Sequence, residues 1–302
     1  MAQKKKVEGR SQSNMLEGVT PEELRTIALN AEGTFFQENV RKVFEKSGFK
    51  LHAIEYGVSA GSAETKYRES RLDLWFRCQL EGCVFNILVE CKKADPKLKE
   101  WIFFRSPDDH PNLFVVDCAR RNQAGKWQLQ RFNTAYSNFY AFSGKELKGE
   151  WTKNGSDSWK TATARIDDAC DQVAIALRSI SMQYEKMTDL IPTFGGMPHF
   201  LIPVVVTNAN LLTCELSAES IDRSEVNVSE VLFDKRENLI IRHPMAPHMQ
   251  MRLWSSSEEL SKNFVFIGGY LDTFISHFLN APAAVQALCK EIAREYKPML
   301  KQ

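Results

Sequence analysis

A chain of 302 residues, 43% of them hydrophobic, carries enough apolar material to bury a full core, as one elaborated domain or two small ones. Lysine and arginine number 39 against 38 acids, so the net charge of +1 excludes a global electrostatic case for a polyanionic partner and leaves only a local patch. The seven cysteines form no CxxC pair, which argues against a metal ribbon or redox site and for reduced thiols in a cytoplasmic protein.

Residues 1–19 are polar and aperiodic and read as a disordered leader. Lys4, Lys5 and Lys6 precede a polar stretch rather than an apolar one, so no signal peptide is read there. No apolar run approaches the roughly 20 residues of a bilayer span, and no membrane is expected. Thr20-Pro21-Glu22-Glu23 is a helix start: threonine caps, proline suits the first position, and Glu23 completes a capping box for a short helix to about Asn30. A second helix from about Thr34 to Ser47 puts Phe35, Phe36, Val40, Val43 and Phe44 on one face, and Gly48 stops it.

Phe49 to Tyr56 reads as a first strand, and a Gly/Ser loop follows around 57–62. Two alternating runs, Leu72 to Leu80 and Cys83 to Cys91, flank Glu81-Gly82 as a β-hairpin. Residues 94–160 read as a less regular insertion with strands at Leu113 to Cys118 and Trp127 to Phe132. Thr163 to Tyr184 has helical spacing, and Ile202 to Thr207 is a buried strand. Strand-like segments follow at Leu211 to Leu216, Val228 to Phe233, Leu239 to Ile241 and Phe264 to Ile267. A helix is expected from about Leu271, and a terminal one over 283–302. The expected organisation is a single domain over 20–302.

The hairpin carries the chemistry. With Glu81 and Gly82 as its central turn residues, Leu80 faces Cys83, Asp73 faces Glu90 and Arg71 faces Lys92. Opposed residues project to one side and residues two apart stay there, so Asp73, Glu90 and Lys92 converge. A four-residue turn of the same register preserves that parity. The other face carries only Leu72, Leu74, Phe76, Cys78 and Leu80 against Cys83, Phe85, Ile87, Val89 and Cys91, so a one-residue slip would bury the carboxylates. Two carboxylates side by side with a lysine make a poor structural device on a sheet, because like charges repel and desolvation is costly. A hard divalent cation relieves that repulsion, and the set suits hydrolytic phosphodiester cleavage.

R-L-D-L-W-F followed by I-L-V-E-C-K-K resembles the Asp-(x)n-(Asp/Glu)-x-Lys signature of the PD-(D/E)XK nucleases, with Leu72 where the signature has proline. The preceding G-T-F-F-Q-E-N-V and G-F-K-L are similar to that superfamily's G-x-x-F-E-x-x-V helix and following strand. The likeness covers residues 33–93 well and 163–207 loosely. It implies an α/β restriction-endonuclease-like core, a mixed central β-sheet flanked by helices. It also implies Mg2+ or Mn2+ held by Asp73 and Glu90 and a nucleophilic water assisted by Lys92. By spacing to Gly48 the superfamily's helix glutamate falls on Gln37, with Glu38 one residue on; either is a candidate support. The implied activity is endonucleolytic cleavage of nucleic acid, DNA before RNA, in restriction, repair or anti-phage defence. The rival is a catalytically silent nucleic-acid-binding or assembly subunit. A homodimer or a protein partner is compatible with both.

Candidate nucleic-acid contacts are Arg71 beside the centre and Arg120, Arg121, Lys126 and Arg131, which are interleaved with aromatic residues as phosphate contact and base stacking require. A solvated insertion with its own small aromatic core is the alternative for that segment. Trp75 suits packing under the next helix. His243 and His248 read as part of a loop, and Cys78, Cys83 and Cys91 as small core residues. No G-x-x-x-x-G-K-[ST] loop occurs, so no intrinsic ATPase motor is expected.

Overall fold

The computed structural model describes residues 20–23, 32–60, 68–94, 100–105, 113–122, 125–135, 140–151, 157–162, 164–186, 196–214, 233–244 and 270–297. The leader, the segment 24–30, the strand expected at Val228 to Phe233 apart from its last residue, the strand expected at Phe264 to Ile267, and His248 lie outside them. Local signals mark the start of the first expected helix and the end of the second. Glu23 N–H donates to Thr20 Oγ1 (3.2 Å) while Thr20 N–H donates to Glu23 Oε2 (2.7 Å), a reciprocal capping box. Helix α1 (Glu32–Lys46) ends in a Schellman motif: Gly48 is left-handed (φ 89) and donates to Glu45 O, Phe49 donates to Phe44 O, and the two phenylalanine rings sit 5.1 Å apart. The buried stripe is Phe36, Val40 and Phe44, at i, i+4 and i+8. Phe35 is 65% exposed, because its position in the first turn lies outside that stripe.

The strands are β1 (Lys50–Ala60), β2 (Arg68–Leu80), β3 (Cys83–Lys92), β4 (Glu100–Arg105), β5 (Leu113–Arg121), β6 (Trp127–Ala135), β7 (Tyr140–Trp151) and β8 (Asp157–Ala162). After helix α2 (Ala164–Lys186) come β9 (His199–Thr207), β10 (Asn210–Cys214), β11 (Phe233–Arg236), β12 (Asn238–Pro244), β13 (Tyr270–His277) and helix α3 (Ala281–Tyr296). They form one mixed sheet in the order β1-β2-β3-β9-β13-β12-β7-β4-β10-β11, with β5 beside β9 and β6, and β8 beside β7. The molecule is thus α/β, a mixed sheet flanked by helices. β1 runs on through Gly57 to Ala60 where a loop was expected, because Gly57 to Ala60 pair with Arg71 to Arg68. Residues 94–160, expected to be less regular, hold five strands among the described residues; β4, β5 and β7 pair directly with β10, β9 and β12.

Helices α1 and α3 cover one face, where Phe36, Val40 and Phe44 meet Phe76, Phe85, Val285, Leu288 and Ile292. Helix α2 covers the other, with Val173, Ala174 and Leu177 over Trp75, Leu88 and Leu201. Strands β3 and β9 are parallel and covered on both sides, which is why they read as near-continuous apolar runs. The same coverage explains a reversal of element type. Leu271 onward is strand β13, parallel to β9, not a helix: Leu271, Phe274 and Ile275 are buried on opposite faces, and a strand wrapped on both sides loses its period of two. His243 likewise lies in β12 rather than in a loop, opposite Leu271.

Candidate metal centre

The turn residues Glu81 (φ 49) and Gly82 (φ 78) both sit in the left-handed region that a two-residue type I′ hairpin requires. The ladder runs from Leu80↔Cys83 to Leu74↔Val89, so continuing it by one residue sets Asp73 level with Glu90. From there β3 proceeds alongside β9, pairing Glu90 with Val205 and Lys92 with Thr207. The expected convergence is present. Asp73 Oδ2 accepts from the Cys91 backbone N–H (2.8 Å), and Lys92 Nζ lies 2.9 Å from Glu90 Oε1. Leu74, Phe76, Cys83, Phe85, Ile87 and Val89 line the opposite face, with Cys78, Leu80 and Cys91 half-buried against it; Leu72 joins the α2 side instead. Trp75 packs beneath α2, as its position suggested.

Helix α2 closes the centre from above. Gln172 Oε1 accepts from Lys92 Nζ (2.7 Å), so the lysine is held between a neutral oxygen and the Glu90 carboxylate. Helix α1 closes it from below: Gln37 Nε2 donates to the Asp73 carbonyl at 3.0 Å and fixes the backbone that carries the carboxylate. Glu38 faces away, paired with Arg41 and Lys42, and Arg41 holds its carboxyl down at about 2. An open cleft of about 700 Å³ is lined by Glu55, Gly57, Val58, Ser70, Arg71, Asp73 and Gln172.

Electrostatically the pair is uncomfortable. Burial, then the neighbouring Asp73 charge, pushes Glu90 up to about 8 despite Lys92. Burial also lifts Asp73 to about 6 against the Cys91 N–H and Lys92, with Glu55 adding to the rise. The Glu90 side chain is only 3% exposed, yet its Oε2 has no hydrogen-bond partner. An orphaned buried carboxylate oxygen beside a second carboxylate fits a hard divalent cation, which takes oxygen ligands and fills its other positions with water or substrate oxygens. Among the described residues no group of three or more His, Cys, Asp or Glu side chains is already arranged to hold an ion.

The remaining candidates separate by place. Arg71 lies at the cleft. Arg120, Arg121, Lys126 and Arg131 do not. β5 pairs with β9 at Ala119↔His199, at the far end of β9 from Val205. There Arg121 stacks over Trp127 at 5.4 Å, Arg131 pairs with buried Asp117 at 3.2 Å, and Lys126 is exposed. His243 is buried against Asp171, 3.2 Å away. Two residues of the centre escaped the sequence reading. Glu55 depends on the β1–β2 register, which shifts between Leu51 and Ala53, and Gln172 stands on the polar side of a helix whose docking angle no local pattern encodes. No described helix is long and apolar enough to cross a membrane. Compared with family models, curated proteins and solved structures, the chain matches none.

Proposed function

We propose that this chain is a metal-dependent endonuclease with a PD-(D/E)XK, restriction-endonuclease-like core that hydrolyses phosphodiester bonds in nucleic acid, DNA before RNA. The observation that carries the reading is the orphaned, buried Glu90 Oε2 next to Asp73 and Lys92. Asp73 and Glu90 would hold Mg2+ or Mn2+, which polarises a phosphodiester and lowers the pKa of a water when bound. The chain's own part is positioning. The Cys91 N–H and the Gln37 amide fix Asp73 from side chain and backbone. Lys92, oriented by Gln172 and Glu90, brings a donor to the attacking water or to charge developing on the phosphoryl oxygens. Arg71 at the cleft suits a phosphate of the strand. The resemblance to restriction, repair and anti-phage nucleases supports one of those settings, where a homodimer or a protein partner would be in keeping.

The test is cleavage of linear, circular and single-stranded DNA and of RNA with Mg2+, Mn2+ or EDTA, in wild type, Asp73→Ala and Lys92→Ala. Metal-dependent cutting lost in both variants is the expected result and names the substrate. Equal cutting by all three proteins sinks the assignment. Absence of cutting alongside intact nucleic-acid binding replaces it with a silent binding subunit.

A further inference from the structure

β1 brings a third carboxylate to the row. Ile54 pairs with Leu74 and Tyr56 with Leu72, so Glu55 lies opposite Asp73, and the hairpin register sets Asp73 level with Glu90. Three carboxylates thus occupy three adjacent strands at one level, about 5 Å from strand to strand. Glu55 lines the cleft with Asp73, and its charge is close enough to lift the Asp73 carboxyl. Its backbone is left-handed (φ 50), which a glutamate adopts at a cost. Its carboxylate faces Arg71, Nη1 to Oε2 at 3.7 Å, in a pair whose side chains are 75% and 47% exposed. That contact is long, wet and easily exchanged. Independently, the Glu90 Oε2 orphan at 3% side-chain exposure marks the row as unfinished without a ligand.

We propose that Glu55 is a further cation-holding carboxylate of this centre, kept off the ion by Arg71 until a phosphate takes the arginine. The inference rests on the nuclease reading above. A guanidinium matches a phosphate's paired oxygens better than a single carboxylate oxygen at 3.7 Å, so an arriving strand competes for Arg71. Glu55, released and half-exposed, then adds a third carboxylate to the oxygen shell that Asp73 and Glu90 begin. Substrate arrival would thereby tighten the cation site, and the cation would tighten substrate binding by the same factor.

The experiment is Mn2+ titration of the full chain, by calorimetry and by Mn2+ electron paramagnetic resonance, for wild type, Arg71→Ala, Glu55→Gln, the double variant and Asp73→Asn. Removing the arginine frees Glu55, so Arg71→Ala binds Mn2+ about tenfold more tightly than wild type. The gain is absent in the Glu55→Gln, Arg71→Ala double variant. A gain of equal size in the double variant, or no gain in Arg71→Ala, overturns the proposal. Asp73→Asn distinguishes the two levels of argument: if it binds Mn2+ as wild type does, the cation centre itself is lost, not only the role of Glu55. Glu55→Gly in the Arg71→Ala background guards against misfolding, since glycine relieves the positive φ. This protein should melt at or above the temperature of Arg71→Ala and still lack the gain; retention of the gain overturns the role of Glu55.

Discussion

Glu90 binds its proton more tightly in the folded chain than in the unfolded one, because burial and Asp73 disfavour its charge. Stability therefore falls as pH climbs from the ordinary carboxylate range towards about 8, and the deficit is complete only above that value. In metal-free protein, Glu90→Gln should match wild type below pH about 4 and exceed it by on the order of 3 kcal/mol above pH 8, read by urea unfolding across pH. Mg2+ should raise the wild-type melting temperature at pH 8 more than at pH 5, since its binding requires the proton to leave. An Mg2+ effect independent of pH would remove Glu90 from the ligand set. Gln37 makes a subtler contribution. Gln37→Leu removes the bond to the Asp73 carbonyl, which should cost about 1 kcal/mol of stability. A small displacement of Asp73 should cost cleavage about tenfold or more, with Glu38→Ala as a near-neutral comparison. The three residues of the motif were legible because parity along two strands is a strong constraint. The choice between Gln37 and Glu38 was not, because neighbouring residues on a helix point about 100° apart and only the docked helix tells which one faces the sheet.

The hairpin was the most legible element. Its turn length and its segregated faces each demand the same register, and the observed ladder has it. Its weak point was also visible: glutamate is an unfavourable residue for positive φ, yet Glu81 stands at 49°. Glu81→Asn should therefore stabilise the chain by about 0.5–1 kcal/mol, because asparagine suits the first position of a type I′ turn. Gly82→Ala should destabilise it by about 1 kcal/mol, since φ is 78° there although no atom crowds an added Cβ. Neither substitution should change cleavage, as both lie seven or more residues from the carboxylates along their strands. Equal stability of wild type and both variants, by thermal melting, would mean that the turn does not hold the register. β13 was illegible for the opposite reason. Apolar residues on both faces leave no alternation, and a segment of eight residues resembles part of a buried helix until its parallel partner β9 is known.

At the scale of the whole molecule, the centre depends on elements far apart in sequence. Asp73 and Glu90 come from a hairpin, Gln37 from the helix before it, and Gln172 from a helix on the opposite face of the sheet. None of these long-range pairings has a local signature; they follow from strand order, in which β3 meets β9 and β9 meets β13. The core on the α1 and α3 side continues through β2, β3, β9 and β13 to Leu288 and Ile292 of α3, so the last helix should unfold with the sheet. Phe274→Ala at the sheet centre and Leu288→Ala in α3, both 0% exposed, should each cost about 3–5 kcal/mol. In urea, both should shift the midpoint with little change of slope, and tryptophan fluorescence and circular dichroism should report one coincident transition. A Leu288→Ala protein that loses α3 signal in a separate, earlier step would show that α3 is an independent cover. The Lys92–Gln172 geometry, built by β3 and the α2 face of the sheet, would then survive its loss, and cleavage would persist through the first step. With one transition, activity and the α3 signal disappear together, because the surface that orders Asp73 through α1 is the surface that α3 completes.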